Sequence, residues 1–174
     1  MKENLFRVWA SRIPKYDEKF RDTLFKSKAN KGVRDEDSVE SLGKHFSRNY
    51  ELYIYAFFLG LYNDLYFEIP KDTTKVDFSH HIRHWGNKNS RGRESFAELQ
   101  EYMFVALVAK TDVDLIALDK GEIKVEKIVR QLIHTMESYT NGGLTLLQEK
   151  GEENSNYHLV PDAFLNLILE TKPK

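Results

Sequence analysis

The chain has 174 residues, of which 41% are hydrophobic and 30% are charged, and it contains no cysteine. This length and composition are typical of one globular domain with a sizeable hydrophobic core. The lack of cysteine excludes disulfide frameworks and thiolate-based metal or redox sites, and it fits a reducing cytoplasm. The formal net charge of −1 does not by itself indicate a nucleic-acid partner.

The sequence holds no segment typical of secretion or of membrane insertion. The first residues, MKENLFRVWASRIPK, lack the apolar core of a signal peptide. Glu51, Asn63 and Asp64 interrupt the most apolar run before it reaches the length of a membrane-spanning helix. We therefore expect a cytoplasmic protein that does not bind a membrane.

The first part of the chain has a weak pattern. Tyr16, Phe20 and Leu24 recur at helical spacing. Residues 26–37, KSKANKGVRDED, are polar and show no apolar periodicity, so we expect them to form a flexible loop.

Residues 49–67, NYELYIYAFFLGLYNDLYF, form the most apolar and aromatic run of the chain. We expect a buried helix, because the run is too long for one strand. Ala56 and Gly60 are four residues apart and share a face, where the backbone of another helix could approach closely. A β-hairpin turning at Asn63 and Asp64 is the alternative, since tyrosine, isoleucine and phenylalanine also favour strands.

The second half of the chain shows three further helical patterns. Residues 96–110 are a second strongly apolar segment, and residues 125–139 have the clearest amphipathic period. The latter helix either ends at Asn141-Gly142-Gly143 or runs through to Leu147. A last helix, 162–170, follows Pro161.

These patterns predict an all-α fold. We expect a single helical domain over residues 1–174, a bundle of six or seven helices around two buried apolar helices, 49–67 and 96–110.

The segment between the two apolar helices is rich in histidine. His80 and His84 are four residues apart, which on a helix would place them on one face as a two-histidine metal edge. Asp77 could add a carboxylate. The HExxH pattern is absent, however, because position 81 is His, so the metal signal is weak and a polar surface turn is the simpler interpretation.

The same segment suits phosphate groups better. Residues 75–93 carry five cationic side chains against one carboxylate, and Trp85 could supply a stacking or anchoring ring. A solvated loop is the simpler alternative. The candidate binding residues are His80, Arg83, His84, Trp85, Lys88, Arg91 and Arg93.

No catalytic or cofactor-binding motif is present, since GxSxG, P-loop and GxGxxG patterns are all missing. We expect no cofactor and no bound metal. The best functional hypothesis is a non-enzymatic accessory or adaptor protein that binds nucleic acid or a protein partner through residues 80–93. The alternative is a metal-dependent hydrolase that uses His80 and His84.

Two stretches resemble an uncharacterised family of small Bacteroidetes proteins: KHFSRNYELYIYAFFLGLYND and YMFVALVAKTDVDLIALDKGEI. This resemblance implies no activity and transfers no catalytic residue. Residues 46–63 also resemble, over a short and mostly hydrophobic motif, a helix in accessory proteins of bacterial DNA-phosphorothioation and restriction clusters. That second likeness implies a role beside DNA-defence enzymes.

Overall fold

In a computed structural model of the protein, the described residues are 4–29, 45–78, 80–86, 96–160 and 162–170. This part of the chain is 64% helical, with seven α-helices and only one two-stranded sheet, which confirms the predicted helical class. The helices are α1 (Leu5–Ala10), α2 (Lys26–Lys28), α3 (Asn49–Tyr62), α4 (Ala97–Lys110), α5 (Leu115–Asp119), α6 (Val125–Glu153) and α7 (Ala163–Glu170).

Shorter elements connect these helices. Strands β1 (Lys15–Asp17) and β2 (Lys75–Asp77) form the sheet, and a π-helical turn, Arg21–Phe25, leads directly into α2. Single 3-10 turns occur at Ile82–His84 and at Tyr157–Leu159. Among the helices of the described residues, none is both long enough and apolar enough to span a bilayer.

Backbone contacts divide the chain into two compact units. Unit 1 comprises Met1–Lys15 and Asp77–Glu137, and unit 2 comprises Tyr16–Val76 and Ser138–Lys174. Each unit is therefore assembled from two stretches that are far apart in the sequence. The expected single domain over residues 1–174 stays a prediction.

Helix α3 has a defined start and stop. The Glu51 carboxylate accepts hydrogen bonds from the backbone N–H of Ser47 at 2.8 Å and of Arg48 at 3.3 Å, which satisfies donors that the first helical turn leaves open. The helix ends at Tyr62, because Asp64 adopts a φ of 53° and the N–H of Leu65 turns back to the Gly60 carbonyl. The predicted helix to residue 67 was too long by five residues, and the hairpin alternative was wrong.

In unit 2, α3 packs directly against the backbone of α6. A β-carbon on Gly60 would lie 1.9 Å from the Tyr139 carbonyl oxygen, and one on Gly143 would lie 1.9 Å from the Ala56 carbonyl oxygen. The small residues Ala56 and Gly60 thus receive the backbone of another helix, as their spacing predicted. Helix α6 runs unbroken through Asn141-Gly142-Gly143, because the cost of glycine in a helix is offset by this close approach.

Unit 1 contains an aromatic cluster around α1. The Trp9 ring is completely buried, and it lies 5.8 Å from the Phe6 ring and 5.5 Å from the Phe104 ring of α4. Helix α4 buries Met103 and Leu107 on the same side but leaves Tyr102 exposed on the other. Its apolar sequence therefore supplies one buried face and one solvent-exposed face.

The structure describes the first four residues, 26–29, of the loop predicted at residues 26–37. Lys26–Lys28 are helical, because they continue the turn that buries Leu24 and Phe25. Ala29 is fully buried and pairs with Phe46 in a β-bridge. The prediction of a loop was wrong for residues 26–29, and residues 30–37 lie outside the described residues.

Candidate functional site

The binding segment predicted from the sequence, residues 80–93, begins with a turn in unit 1 whose position is fixed by backbone hydrogen bonds. The N–H of Phe78 donates to the Pro14 carbonyl at 2.8 Å, and the N–H of Ile82 donates to the Arg12 carbonyl at 3.1 Å. The Ile82 side chain is fully buried. The turn, residues 80–86, is therefore held against the chain that follows α1.

Trp85 anchors this turn from inside. Its ring is only 1% exposed, packs edge-on against Phe78 at 5.4 Å, and donates its Nε1–H to the His80 carbonyl at 3.2 Å. The buried Gln100 side chain of α4 donates to the Trp85 carbonyl at 2.8 Å. A ring enclosed in this way cannot stack on a nucleic-acid base. The prediction of Trp85 as a ring that contacts a partner by stacking or anchoring was wrong, and the ring instead holds the turn in place.

Gly86 ends the turn with a φ of 68°. A β-carbon at this position would lie 2.4 Å from the Phe96 side chain, so both the conformation and the space require glycine.

The polar side chains of the turn lie on the surface. His80, Arg83 and His84 are all exposed. Arg83 Nε donates to His84 Nε2 at 3.3 Å, and the rings of His81 and His84 meet edge-on at 5.9 Å. The structure thus brings three of the predicted binding residues to one exposed turn, whereas Lys88, Arg91 and Arg93 lie outside the described residues.

The predicted two-histidine metal edge is not formed. His81 has a ψ of 144°, and helical backbone begins only at Ile82, so His80 and His84 do not belong to one helix. In the parts of the chain that the structure describes, no three histidine or acidic side chains are grouped so that they could hold a metal ion. The hydrolase alternative therefore lacks the geometry on which it was based.

A polar cleft in unit 2 was not predicted from the sequence. The cleft has a volume of about 190 Å³. Most of its lining residues are of polar types, and they come from the end of the π-helical turn, α2, the last turns of α6 and the chain that follows: Thr23, Leu24, Lys28, Gln148, Gly151, Glu152, Ser155 and His158.

His158 is the most buried ionisable side chain of the cleft, with 4% exposure. Its Nε2 lies 3.0 Å from the Leu147 carbonyl oxygen, and its ring stacks on Phe164 at 5.3 Å. Burial lowers the pKa of the His158 imidazole, and the nearby charge of Lys28 lowers this pKa further. The ring is therefore held in its neutral form.

Lys28 and Gln148 add further polar groups to the cleft. Lys28 is half-buried, and this burial lowers the pKa of its ammonium group. Gln148 donates its Nε2–H to the Glu152 carboxylate at 2.7 Å. Ionisable groups with displaced pKa values in one concave site are typical of functional sites.

One signal in the sequence could have indicated this cleft. Gln148, Glu152 and Ser155 follow at spacings of four and three, which places polar residues on one face of a helix. Lys28 and His158 carried no such signal, because only the fold brings these distant positions together.

A second, wider groove lies in unit 1, with a volume of about 570 Å³. Val129 and Ile133 are among its lining residues, together with several charged side chains. Arg12 forms an ion pair with Glu126, and the backbone N–H of Lys15 donates to the Glu137 carboxylate at 2.7 Å.

Comparison with known proteins adds no further information, since no family model, no curated protein and no solved structure matches the chain.

Proposed function

We propose that this protein is a non-enzymatic accessory or adaptor protein that binds nucleic acid through the turn at residues 80–86 and the basic residues that follow it. The observation that carries the proposal is a fixed turn with exposed Arg83, His80 and His84. The lack of cysteine in the sequence supports a cytoplasmic location for the protein.

The fixed backbone favours binding because little conformational entropy is left to lose. Trp85, Ile82 and Gln100 hold the turn before any partner arrives. A surface that is already ordered keeps more of its interaction energy as affinity than a loop that must order on binding.

The charge of the segment favours a polyanion. Exposed arginine and histidine side chains are groups that contact phosphates, and Lys88, Arg91 and Arg93 extend the same charge along the sequence. Such contacts carry no base specificity, so we expect binding that depends on salt more than on sequence.

Fluorescence anisotropy with a labelled 20-nucleotide duplex and a single strand tests this proposal. We expect binding at low salt that weakens steeply as salt rises. On a duplex, the logarithm of the association constant should fall by about 0.9 per phosphate contact for each tenfold rise in salt concentration. The double variant Arg83→Ala/His84→Ala should weaken binding and flatten this salt dependence.

The matched control is Lys120→Ala/Lys124→Ala, which removes two exposed side chains from another part of unit 1. Equal weakening by both double variants would show that the attraction is not specific to the turn. No binding at low salt would contradict the proposal and leave a protein partner as the remaining prediction for this turn.

A further inference from the structure

The outer face of α7, the last helix of unit 2, is apolar and exposed to solvent. Leu165 and Leu169 are 57% and 69% exposed, and Ile168 is 37% exposed. These side chains are three or four residues apart, so they share one face of the helix. The turn that leads into α7 adds Leu159 and Val160, which are both more than half exposed.

The docking of α7 onto unit 2 uses a different face of the helix. Ala163 and Leu167 are buried there. The Phe164 ring packs edge-on against Phe46 at 4.9 Å and against Tyr55 at 5.5 Å, and the Tyr55 hydroxyl donates to the Phe164 carbonyl at 2.6 Å. The outer leucines therefore remain exposed after the helix has docked.

The sequence of α7 does not suit a helix that faces water on its outer side. Residues 163–169, AFLNLIL, contain no charged side chain, and Asn166 is the only polar residue among them. A surface helix usually carries charged and polar residues on the side that faces solvent. A continuous exposed apolar face is instead typical of an interaction site.

We propose that this face binds a second copy of the chain, with the two α7 helices antiparallel across a two-fold axis. A two-fold interface uses the same patch on both copies, so the patch must complement itself. In the antiparallel arrangement Leu165 of one copy meets Leu169 of the partner subunit. Parallel helices would instead place the two exposed Asp162 carboxylates opposite each other. This interface is separate from the nucleic-acid surface proposed above and does not depend on it.

Asn166 lies at the edge of the same face and suits the antiparallel arrangement. It is exposed, and a two-fold axis between antiparallel helices keeps the same flank of each helix side by side. The two Asn166 side chains therefore approach each other. Because an amide group both donates and accepts, these side chains can pair with one another. A single polar residue at a helix interface typically fixes its register.

The area of the patch is sufficient for a weak dimer. The exposed fractions of the five aliphatic side chains correspond to roughly 500 Å² of apolar surface per copy, which is near the upper end for one patch on a monomeric protein. Two copies would together bury about 1,000 Å², the lower limit for a specific interface. We therefore expect a reversible dimer with a dissociation constant on the order of 10–100 µM.

Other occupants fit this face less well. A polyanion or a strongly charged protein surface would meet no opposite charge on residues 163–169 and would lose the hydration of its own charges. Helices that bind a lipid surface usually carry lysine or arginine on their polar face, and residues 163–169 have neither.

Sedimentation velocity of the full chain, from about 2 µM to about 500 µM, tests the proposal. We expect a monomer at the lowest concentration and a species of twice the monomer mass at the highest. Larger species should not form, because a two-fold interface closes on itself.

Two double variants test the contact and its direction. Leu165→Glu/Leu169→Glu places like charges against each other and should weaken dimerisation at least about 10-fold. Leu165→Glu/Leu169→Lys places an acidic group at position 165 of one copy against a basic group at position 169 of the other. This second variant should dimerise more strongly than the first, because opposite charges then meet across the axis.

The matched control is Tyr102→Glu/Val105→Glu, which changes two equally exposed apolar residues on α4 of unit 1 and should leave dimerisation unchanged. Thermal melting verifies that each variant folds. If a double variant does not fold, Leu169→Glu alone carries the test, because its carboxylate would be buried against Leu165 of the partner subunit.

Four results would overturn the proposal. The first is a wild type that stays monomeric at every concentration, and co-sedimentation of that monomer with phosphatidylcholine vesicles would assign the face to a lipid surface. The second is a dimer that forms equally well in every folded α7 variant. The third is loss of the dimer in the α4 control. The fourth is continuous growth beyond two copies.

Discussion

The carbonyl oxygen of Tyr139 lies 1.9 Å from the point where a β-carbon on Gly60 would stand. Real side chains do not approach a backbone atom so closely, so α3 and α6 meet here with no side chain between them. The reciprocal contact of Gly143 with Ala56 makes the crossing two-sided.

Replacing Gly60 with alanine should therefore destabilise the protein strongly. The added methyl group would collide with backbone atoms, which cannot move aside as a flexible side chain can. We therefore expect the free energy of unfolding to fall by more than about 3 kcal/mol. Urea unfolding followed by circular dichroism measures this loss. Gly121→Ala is the comparison, because that position has open space and only a positive φ, which costs about 1–2 kcal/mol. Equal losses of unfolding free energy in the two variants would show that α3 and α6 can move apart at little cost to accept the added methyl group.

Tyr55→Phe should cost about 0.5–1.5 kcal/mol of unfolding free energy. The Tyr55 hydroxyl is half-buried and donates to the Phe164 carbonyl at 2.6 Å. Burial also raises the pKa of this hydroxyl well above its ordinary value. Tyr62→Phe is the matched control, because Tyr62 is exposed on the same helix, and it should change the unfolding midpoint very little. A similar shift in both variants would argue against a stabilising hydrogen bond at Tyr55.

Gln100→Leu should reduce stability by about 1–3 kcal/mol, because the Trp85 carbonyl loses a buried donor. The same change should loosen the turn and weaken nucleic-acid binding without removing any charge. Thermal unfolding and the anisotropy assay measure the two effects. Gln131→Leu, on an exposed position of α6, should change neither. Unaltered stability in Gln100→Leu would mean that this hydrogen bond does not hold the turn.

Acidification should destabilise unit 2 through His158. Because the pKa of His158 is lower in the folded chain, the unfolded chain binds more protons between that pKa and the ordinary value of about 6.5. Its contribution to stability is full above about pH 6.5 and is lost as pH falls through the folded pKa.

Urea unfolding at pH 7.5 and pH 5.5 checks this effect. The wild type should lose more stability on acidification than His158→Gln, whereas the exposed His134→Gln should behave like the wild type. An identical pH dependence in all three proteins would contradict a neutral buried His158.

The sequence predicted the features that depend on local pattern. Helical spacing identified α3 and the small residues at its crossing, since both follow from the period of a helix. The end of α3 was missed because Asp64 takes a left-handed conformation that asparagine and aspartate tolerate without a fixed sequence signal.

The candidate sites depended on tertiary contacts and were therefore predicted less well. Trp85 lies in a polar segment, and nothing local shows that Phe78 and Gln100 enclose its ring. The unit 2 cleft joins Lys28 to His158 across most of the chain. Only the folded arrangement brings these two positions together.

Unit 2 is assembled from two stretches that are far apart in the sequence, and this affects how it folds during synthesis on the ribosome. Helix α3 emerges early, but Tyr139 and Gly143 of α6, which pack against it, follow only after all of residues 77–137 have been made. During that interval the apolar surface of the nascent α3 has no native partner from α6 and is prone to aggregation. Newly made chains should therefore need chaperone protection until Tyr139 and Gly143 have left the exit tunnel.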